Sequence, residues 1–158
     1  MSLQEYKFPD SYEQLRAAEQ LNKLRIISNE LNLSEKSILL DIGCGTGLSR
    51  KVFNCNIVGV DPEPALLRKA PLHKSLARAE SLPFKDKTFD AVIAVTSLHN
   101  VEDIHKALAE IKRVGRGKFA FTILRKSQKH DSIVTDITRL FNITDIIEEK
   151  ADTILVQH

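Results

Sequence analysis

The chain has 158 residues, of which 42% are hydrophobic, which suits one domain with a core and excludes a catalytic domain plus a separate substrate domain. Its net charge of +2 gives no general argument for binding to nucleic acid or to a membrane. Its two cysteines are too few for a disulfide framework or a zinc site, so no metal is predicted. No signal peptide, targeting motif or membrane-length apolar stretch occurs, and we expect a soluble, cytoplasmic protein without membrane insertion.

The first predicted element is a helix that opens at Ser11, after an irregular lead-in over residues 6–10. Ser11 and Gln14 have the spacing of a capping box. Apolar residues then recur at intervals of three and four from Leu15 to Leu31, which predicts a helix that covers the sheet with one face.

A glycine-rich loop follows the first predicted strand. The run Ser37–Asp41 leads into Gly43, Gly45 and Gly47, a pattern typical of a buried strand that ends in a loop free of side chains. Three glycines so close together would destabilise a loop without a ligand, so we expect a ligand rather than a simple tight turn. Leu48 stands where the dinucleotide fingerprint has its third glycine, which counts against NAD.

A second short β-branched run, residues 56–60, ends at Asp61. A carboxylate at the end of a strand can accept hydrogen bonds from both hydroxyls of a ribose. Together the two runs resemble the first two motifs of class I S-adenosylmethionine-dependent methyltransferases. Residues 79–84, 88–94 and 98–101 resemble the third and fourth motifs of the branch with the quinone-biosynthesis (methyltransferase-11 type) enzymes.

This resemblance implies S-adenosyl-L-methionine as cofactor and S-adenosyl-L-homocysteine as product. In the family, the glycine loop passes the methionine part and the acid after the second strand holds the ribose. Many relatives carry an adenine-binding acid where this chain has Arg78, so the Ala79 backbone or Glu80 is expected to hold adenine here. The residues expected to bind the cofactor are Asp41, Gly43, Cys44, Gly45, Gly47, Asp61, Pro62, Ala79, Glu80, Ser81, Leu82, Thr96 and Ser97.

Residues 89–95 are almost continuously apolar after Asp90, as in a central strand buried on both faces. Ligands of doubly wound sheets bind where the strand order reverses, so residues 96–100 should lie beside the cofactor. His99 is the candidate catalytic base if the acceptor must lose a proton, and a structural or cofactor-side role is the alternative. Cys44 has no basic partner nearby in sequence and is not predicted to be a nucleophile.

The remaining elements complete an α/β fold. We predict a Rossmann-like, doubly wound, mostly parallel seven-stranded sheet with an antiparallel C-terminal hairpin strand and helices on both faces. A cap at Asn100 or Asp103 opens a helix that residues 115–117 break. The other predicted segments are short helices over 48–53 and 65–69, strands over 72–79, 118–124, 143–149 and 153–157, and a final helix that contains Ile133, Ile137, Leu140 and Phe141.

Basic side chains follow the carboxyl end of the fifth predicted strand. Arg125, Lys126, Lys129 and His130 could meet an anionic substrate or a phosphate backbone, and a solvated surface loop is the alternative.

The residues after the fourth strand lack the (Asn/Asp)-Pro-Pro-(Tyr/Phe) loop of enzymes that methylate amino groups of bases, which argues against that chemistry.

We therefore interpret residues 1–158 as one S-adenosylmethionine-dependent methyltransferase domain, with a leading segment and helix over 1–36 and a catalytic core over 37–158. A small-molecule acceptor is preferred to nucleic acid. The alternatives are a tRNA methyltransferase and a non-catalytic regulator or partner subunit that binds the cofactor. We expect an open site, which a homodimer, a partner subunit or the amino-terminal aromatic residues Tyr6, Phe8 and Tyr12 would cover.

Overall fold

Seven strands form one mixed sheet in this computed structural model, which describes the backbone of residues 3–158 and the side chains from residue 13 onward. The strands are β1 (Ile38–Ile42), β2 (Asn56–Asp61), β3 (His73–Leu76), β4 (Phe89–Val95), β5 (Gly115–Leu124), β6 (Asp145–Glu148) and β7 (Asp152–Gln157). The helices are α1 (Leu3–Leu31), α2 (Pro64–Leu67), α3 (Ile104–Val114) and α4 (His130–Leu140), with 3₁₀ turns at Leu48–Lys51 and Leu98–Asn100.

The strand order is β3-β2-β1-β4-β5-β7-β6. Strands β1 to β5 pair in parallel, and β7 runs antiparallel to both β5 and β6. The order reverses between β1 and β4, which pair directly, with Ile42 opposite Ala94. This confirms the predicted doubly wound fold and places the ends of β1, β2 and β4 at one crevice.

The core has two layers, one on each face of the sheet. Leu39 and Leu40 are both fully buried but belong to different apolar clusters, because successive side chains of a strand point to opposite faces. The Leu39 side packs against Leu24, Ile27 and Leu31 of α1. The Leu40 side packs against α3 and α4, so helices cover both faces as predicted.

The amino-terminal helix begins earlier than the sequence pattern suggested. Helix α1 starts at Leu3, so the predicted irregular lead-in over 6–10 and the start at Ser11 are wrong. Residues 3–7 contain neither glycine nor a β-branched residue, and this composition supports a helix despite the proline that follows. The side chains of Tyr6, Phe8 and Tyr12 lie outside the described residues.

One predicted helix start is confirmed and one predicted strand boundary differs, each for a local reason. Helix α3 begins at Ile104 because Asp103, one of the two predicted caps, accepts a hydrogen bond from the Lys106 backbone N–H (3.1 Å). Strand β5 begins at Gly115, where we expected a break over 115–117. A Cβ on Gly115 would stand 2.5 Å from the Phe119 ring, so this glycine allows close packing within the strand.

No helix in the described part of the chain combines the length and the apolar character needed to cross a membrane.

Candidate functional site

A cavity of about 740 Å³ opens at the carboxyl ends of β1, β2 and β4. Its walls are the glycine loop, the segment after β3, the turn after β4 and one face of α1. Cofactor-sized ligands occupy clefts of this size at the switch point of α/β sheets. The predicted residues that line it are Asp41, Gly43, Cys44, Gly45, Asp61, Pro62, Ala79, Glu80, Thr96 and Ser97.

The glycine loop turns tightly against the neighbouring strands. Gly43, Gly45 and Gly47 all have positive φ, between +54° and +80°. A Cβ on Gly43 would lie 2.6 Å from the Cβ of Ser97, so only glycine fits between β1 and the turn after β4. The backbone N–H groups of residues 43 and 44 both donate to the Val60 carbonyl (2.8 and 3.0 Å), which holds the loop against β2.

Asp61 is buried and anchors two backbone segments. Its Oδ2 accepts from the Gly45 N–H (2.9 Å) and its Oδ1 accepts from the Glu63 N–H (2.8 Å). A carboxylate oxygen has two lone pairs, so each oxygen retains one for a ligand in the cavity. The carboxylate therefore fixes the glycine loop and still presents acceptors to the site.

Asp41 is a second buried acid at the base of the cavity, with 4% of its surface exposed. Burial raises its pKa to about 7, the hydrogen bond from Ser49 opposes this, and the charge of Asp61 adds to it. Ser49 Oγ lies 2.6 Å from Asp41 Oδ2 and also lines the cavity. Sequence reasoning missed Ser49, whose only signal is its place in the first turn after the glycine loop.

Cys44 lies in the same loop as a protonated thiol. Burial raises its pKa to about 12, and the charges of Asp41 and Asp61 contribute in the same direction. The thiolate is the nucleophilic form of cysteine. The environment of Cys44 thus agrees with the prediction that it is not a nucleophile.

The opposite wall of the cavity is tied to the segment before α3. Glu80 Oε2 accepts from the Glu102 N–H (3.1 Å), and Arg78 Nη2 lies 3.2 Å from Glu102 Oε1 at the exposed rim. Arg78, Glu80 and Glu102 all line the cavity. Arg78 therefore places a guanidinium where many relatives have the adenine-binding acid, and the carboxylates on this wall belong to Glu80 and Glu102.

Residues 40–121, more than half of the chain, match the family described as methyltransferase domain. The chain belongs to this methyltransferase family. Over 135 residues it is 38% identical to an uncharacterized protein of Methanocaldococcus jannaschii, covering 78% of this chain and 52% of that protein. It is 32% identical over 140 residues to the sterol 4-C-methyltransferase strm-1 of Caenorhabditis elegans, covering 78% and 42%.

The chain spans about half the length of the curated relatives that it matches. A structure of full-length similarity is the methyltransferase in a complex with the Trm112 methyltransferase activator of Haloferax volcanii. That comparison gives a TM-score of 0.73 at 16% identity and covers 96% of this chain and 94% of the other. At this identity the likeness supports the fold that the methyltransferase family shares.

Four residues predicted from the methyltransferase motifs lie outside the cavity lining within the described part of the chain: Gly47, Ser81, Leu82 and His99. Gly47 instead abuts Ala70 and Pro71 behind the loop. Leu82 is buried in the core, where its backbone N–H donates to Glu110 Oε2 (2.8 Å). The structure therefore places Leu82 in the core and outside the lining of this cavity, and its predicted contact with the cofactor stays a prediction.

His99 lies in the 3₁₀ turn that follows β4 but does not line the cavity. Its side chain is half-buried, and this burial, with smaller contributions from Lys129 and Lys23, lowers its pKa against the opposing effect of Asp152. Its carbonyl accepts from Lys129 Nζ (3.4 Å). The lowered pKa favours the neutral imidazole at pH 7, but His99 is not among the residues that line the cavity.

Three of the four basic residues after β5, Arg125, Lys129 and His130, make contacts within the protein. Arg125 donates to Glu148 and to the Glu149 carbonyl, and it also contacts the Lys150 carbonyl. His130 Nε2 lies 2.9 Å from Thr153 Oγ1. Together with the Lys129 contact, these bonds hold the turn between β6 and β7 and the start of α4.

A buried polar network lies beneath the turn after β4. Lys23 Nζ lies 2.9 Å from Thr96 Oγ1 and 3.0 Å from Asp152 Oδ1. Thr96 Oγ1 donates to Asp152 Oδ2 (3.0 Å), and the Thr96 N–H donates to Thr122 Oγ1 (2.8 Å). Sequence reasoning missed Lys23, Thr122 and Asp152, because Lys23 stood among the polar residues of a helix and Asp152 in a polar turn.

Proposed function

We propose that this protein binds S-adenosyl-L-methionine in the 740 Å³ cavity and transfers its methyl group to an acceptor. The observation that carries the proposal is the pair of buried acids, Asp41 and Asp61, at the adjacent ends of β1 and β2 beside a loop without side chains. In this assignment the glycine loop passes the methionine part, Asp61 accepts from the ribose, and residues 79–80 flank adenine. Thr96 and Ser97 then stand at the transfer end.

The charges of the cavity suit a cationic ligand. S-adenosyl-L-methionine carries a sulfonium and an ammonium group, and a bound cation favours the ionised form of a nearby carboxyl group. Asp41, with its pKa of about 7, would then become ionised on binding. Methyl transfer itself is a displacement in which alignment of nucleophile and methyl carbon supplies about 7–11 kcal/mol.

A small metabolite is the acceptor that we prefer. Nucleic-acid binding requires several cationic contacts to phosphates, whereas Arg125, Lys129 and His130 are occupied by contacts within the protein. A tRNA acceptor is the second choice. The complex with an activator among the structural neighbours supports a further alternative, in which the chain acts as a partner-dependent subunit or as a cofactor-binding regulator.

Isothermal titration calorimetry with S-adenosyl-L-methionine and S-adenosyl-L-homocysteine tests the binding step. The purified protein should bind both, and Asp61→Ala should weaken binding at least about tenfold, or 1.4 kcal/mol. Asp90→Ala is the matched control, since Asp90 accepts from the Ile38 N–H at the opposite end of the strands. Absence of binding by the wild-type protein, or an Asp61→Ala variant with unchanged affinity, would overturn the proposal.

Consumption of S-adenosyl-L-methionine in a cell extract separates an enzyme from a binding protein. We expect activity that survives nuclease treatment and requires the dialysable fraction of the extract. Nuclease-sensitive activity would support the tRNA alternative, and binding without consumption would support a regulator or an inactive subunit.

The proposed role of His99 as a base needs its own test. Because His99 does not line the cavity, we expect His99→Asn to change turnover less than about tenfold. A loss of about 100-fold or more with unchanged cofactor affinity would establish His99 as the base.

A further inference from the structure

Helix α1 is attached to the sheet by two lysines at opposite ends of the strands. Lys118 Nζ donates to the Leu31 carbonyl (2.8 Å), at the end of α1 away from the cavity. Lys23 reaches the turn after β4, beside the cavity, where its side chain is 5% exposed and that of Asp152 is fully buried. The two lysines thus anchor the same helix, but only Lys23 contacts a residue that lines the cavity, Thr96.

Stability alone gives little reason for the Lys23 contact. Leu24, Ile27 and Leu31 already bury the same helix against the sheet, and removing two charges from water costs free energy that their attraction barely offsets. A buried ion pair is therefore weak evidence for stabilisation, but it is directional. Here it joins α1 to the turn after β4 and to β7.

The ammonium group directs its hydrogen bond to the turn. Lys23 Nζ lies 3.0 Å from Asp152 Oδ1 as an ion pair, and this oxygen has no assigned hydrogen bond among the described residues. Lys23 Nζ donates a hydrogen bond to Thr96 Oγ1 (2.9 Å). Lys23 therefore compensates the charge of Asp152 and at the same time fixes the side chain of Thr96.

Thr96 has a backbone conformation that requires such support. Its φ is +50°, in the left-handed region that β-branched residues rarely adopt. This conformation brings Ser97 against the glycine loop, where Ser97 Oγ donates to the Ile42 carbonyl (3.2 Å) and its Cβ lies next to Gly43. Both residues of the turn line the cavity, as do Gln20 and Leu24, which flank Lys23 on α1.

We propose that Lys23 is a positioning residue of the cofactor site: with Asp152 it holds Thr96 in the left-handed conformation and fixes the α1 wall of the cavity relative to the Ser97 wall. This inference rests on the proposed function, since the cofactor defines the geometry that must be held. Lys23 acts through Thr96 and is not assigned contact with the ligand.

Three variants separate positioning from stability. Lys23→Met keeps the length of the side chain but leaves Asp152 unpaired, so its affinity for S-adenosyl-L-homocysteine should fall about tenfold and its melting temperature should fall. Lys23→Met with Asp152→Asn removes both charges, and it should recover most of the melting temperature without recovering affinity. Lys118→Met loosens the other end of α1 and should bind with wild-type affinity.

Calorimetry at a temperature where each variant is folded, as judged by circular dichroism, gives the affinities. If Lys23→Met does not fold, the double variant carries the test. A double variant with wild-type affinity, or a Lys118→Met variant as impaired as Lys23→Met, would overturn the positioning role. Failure of the wild-type protein to bind would instead overturn the proposed function, so the two failures are distinguishable.

Discussion

Asp41→Asn should make the fold more stable at alkaline pH. The wild-type carboxyl group is buried, and its pKa rises from 3.8 to about 7. The folded protein therefore retains a proton that the unfolded chain releases, and this contribution to stability is present below pH 3.8 and is lost as the pH rises through 7. By pH 8 the loss in the free energy of unfolding is about 4 kcal/mol, because the two pKa values, 3.8 and about 7, are separated by an interval in which each pH unit costs about 1.36 kcal/mol.

Asparagine keeps an acceptor for Ser49 Oγ but cannot ionise. The free energy of unfolding of Asp41→Asn, relative to wild type, should therefore increase by about 4 kcal/mol between pH 4 and pH 8. For a domain of this size that corresponds to a relative rise in melting temperature of roughly 8–16 °C. Urea unfolding followed by circular dichroism at four pH values measures the difference directly.

Asp90→Asn is the control with the opposite sign. A hydrogen bond from the Ile38 N–H, aided by Arg116, lowers the pKa of Asp90 against the effect of burial, so its contribution to stability is present at neutral pH and is lost as the pH falls through the folded value. This variant should be less stable than wild type at pH 7, with the difference shrinking in acid. A pH-independent difference between Asp41→Asn and wild type would refute the reasoning about Asp41.

Three further predictions follow from the site. Cofactor affinity should rise between pH 5.5 and pH 8 in the wild type, because Asp41 must ionise beside the cation, and calorimetry should find no such rise in Asp41→Asn. Gly43→Ala should lose about 1–3 kcal/mol in urea unfolding, since its φ is +68° and the new Cβ meets Ser97; adding Ser97→Gly should recover part of the loss. Cys44 should react with iodoacetamide at pH 8 far more slowly in the folded protein than in urea, because its pKa is about 12 when folded, and equal rates would contradict that environment.

The parts of the fold that the sequence predicted are those with local signals. The bounds of β2 and β4 were correct because continuous β-branched or apolar runs end at a charged or polar residue. The glycine loop was equally local, since three glycines in five residues mark a backbone conformation directly. These features form the wall of the cavity that is made by the ends of β1 and β2 and by the glycine loop, from Asp41 to Asp61.

The features that the sequence did not predict depend on contacts between distant segments. Lys23 and Asp152 come from opposite ends of the chain, and neither stood out from its polar neighbours. Leu82 lies within a predicted motif, but its backbone N–H donates to Glu110 of α3 and its side chain is buried in the core. Membership of a motif therefore did not by itself predict a place in the cavity lining.

The charged residues divide between the two ends of the sheet in a way that bears on the proposed function. At the amino ends, Arg116 and Asp90 form an ion pair whose side chains are 52% and 35% accessible to solvent. The desolvation of such a pair costs little free energy, and the pair contributes little to stability. At the carboxyl ends, Asp41, Asp61 and the Lys23–Asp152 pair are buried, where charges are costly unless paired. A buried acid that lines a cleft and has a strongly raised pKa, as Asp41 does, is typical of functional sites rather than of stabilising networks. Neutralising Asp90 should therefore change stability alone, whereas neutralising Asp41 should raise stability at alkaline pH and lower affinity for the cofactor, a divergence that a purely structural acid would not produce.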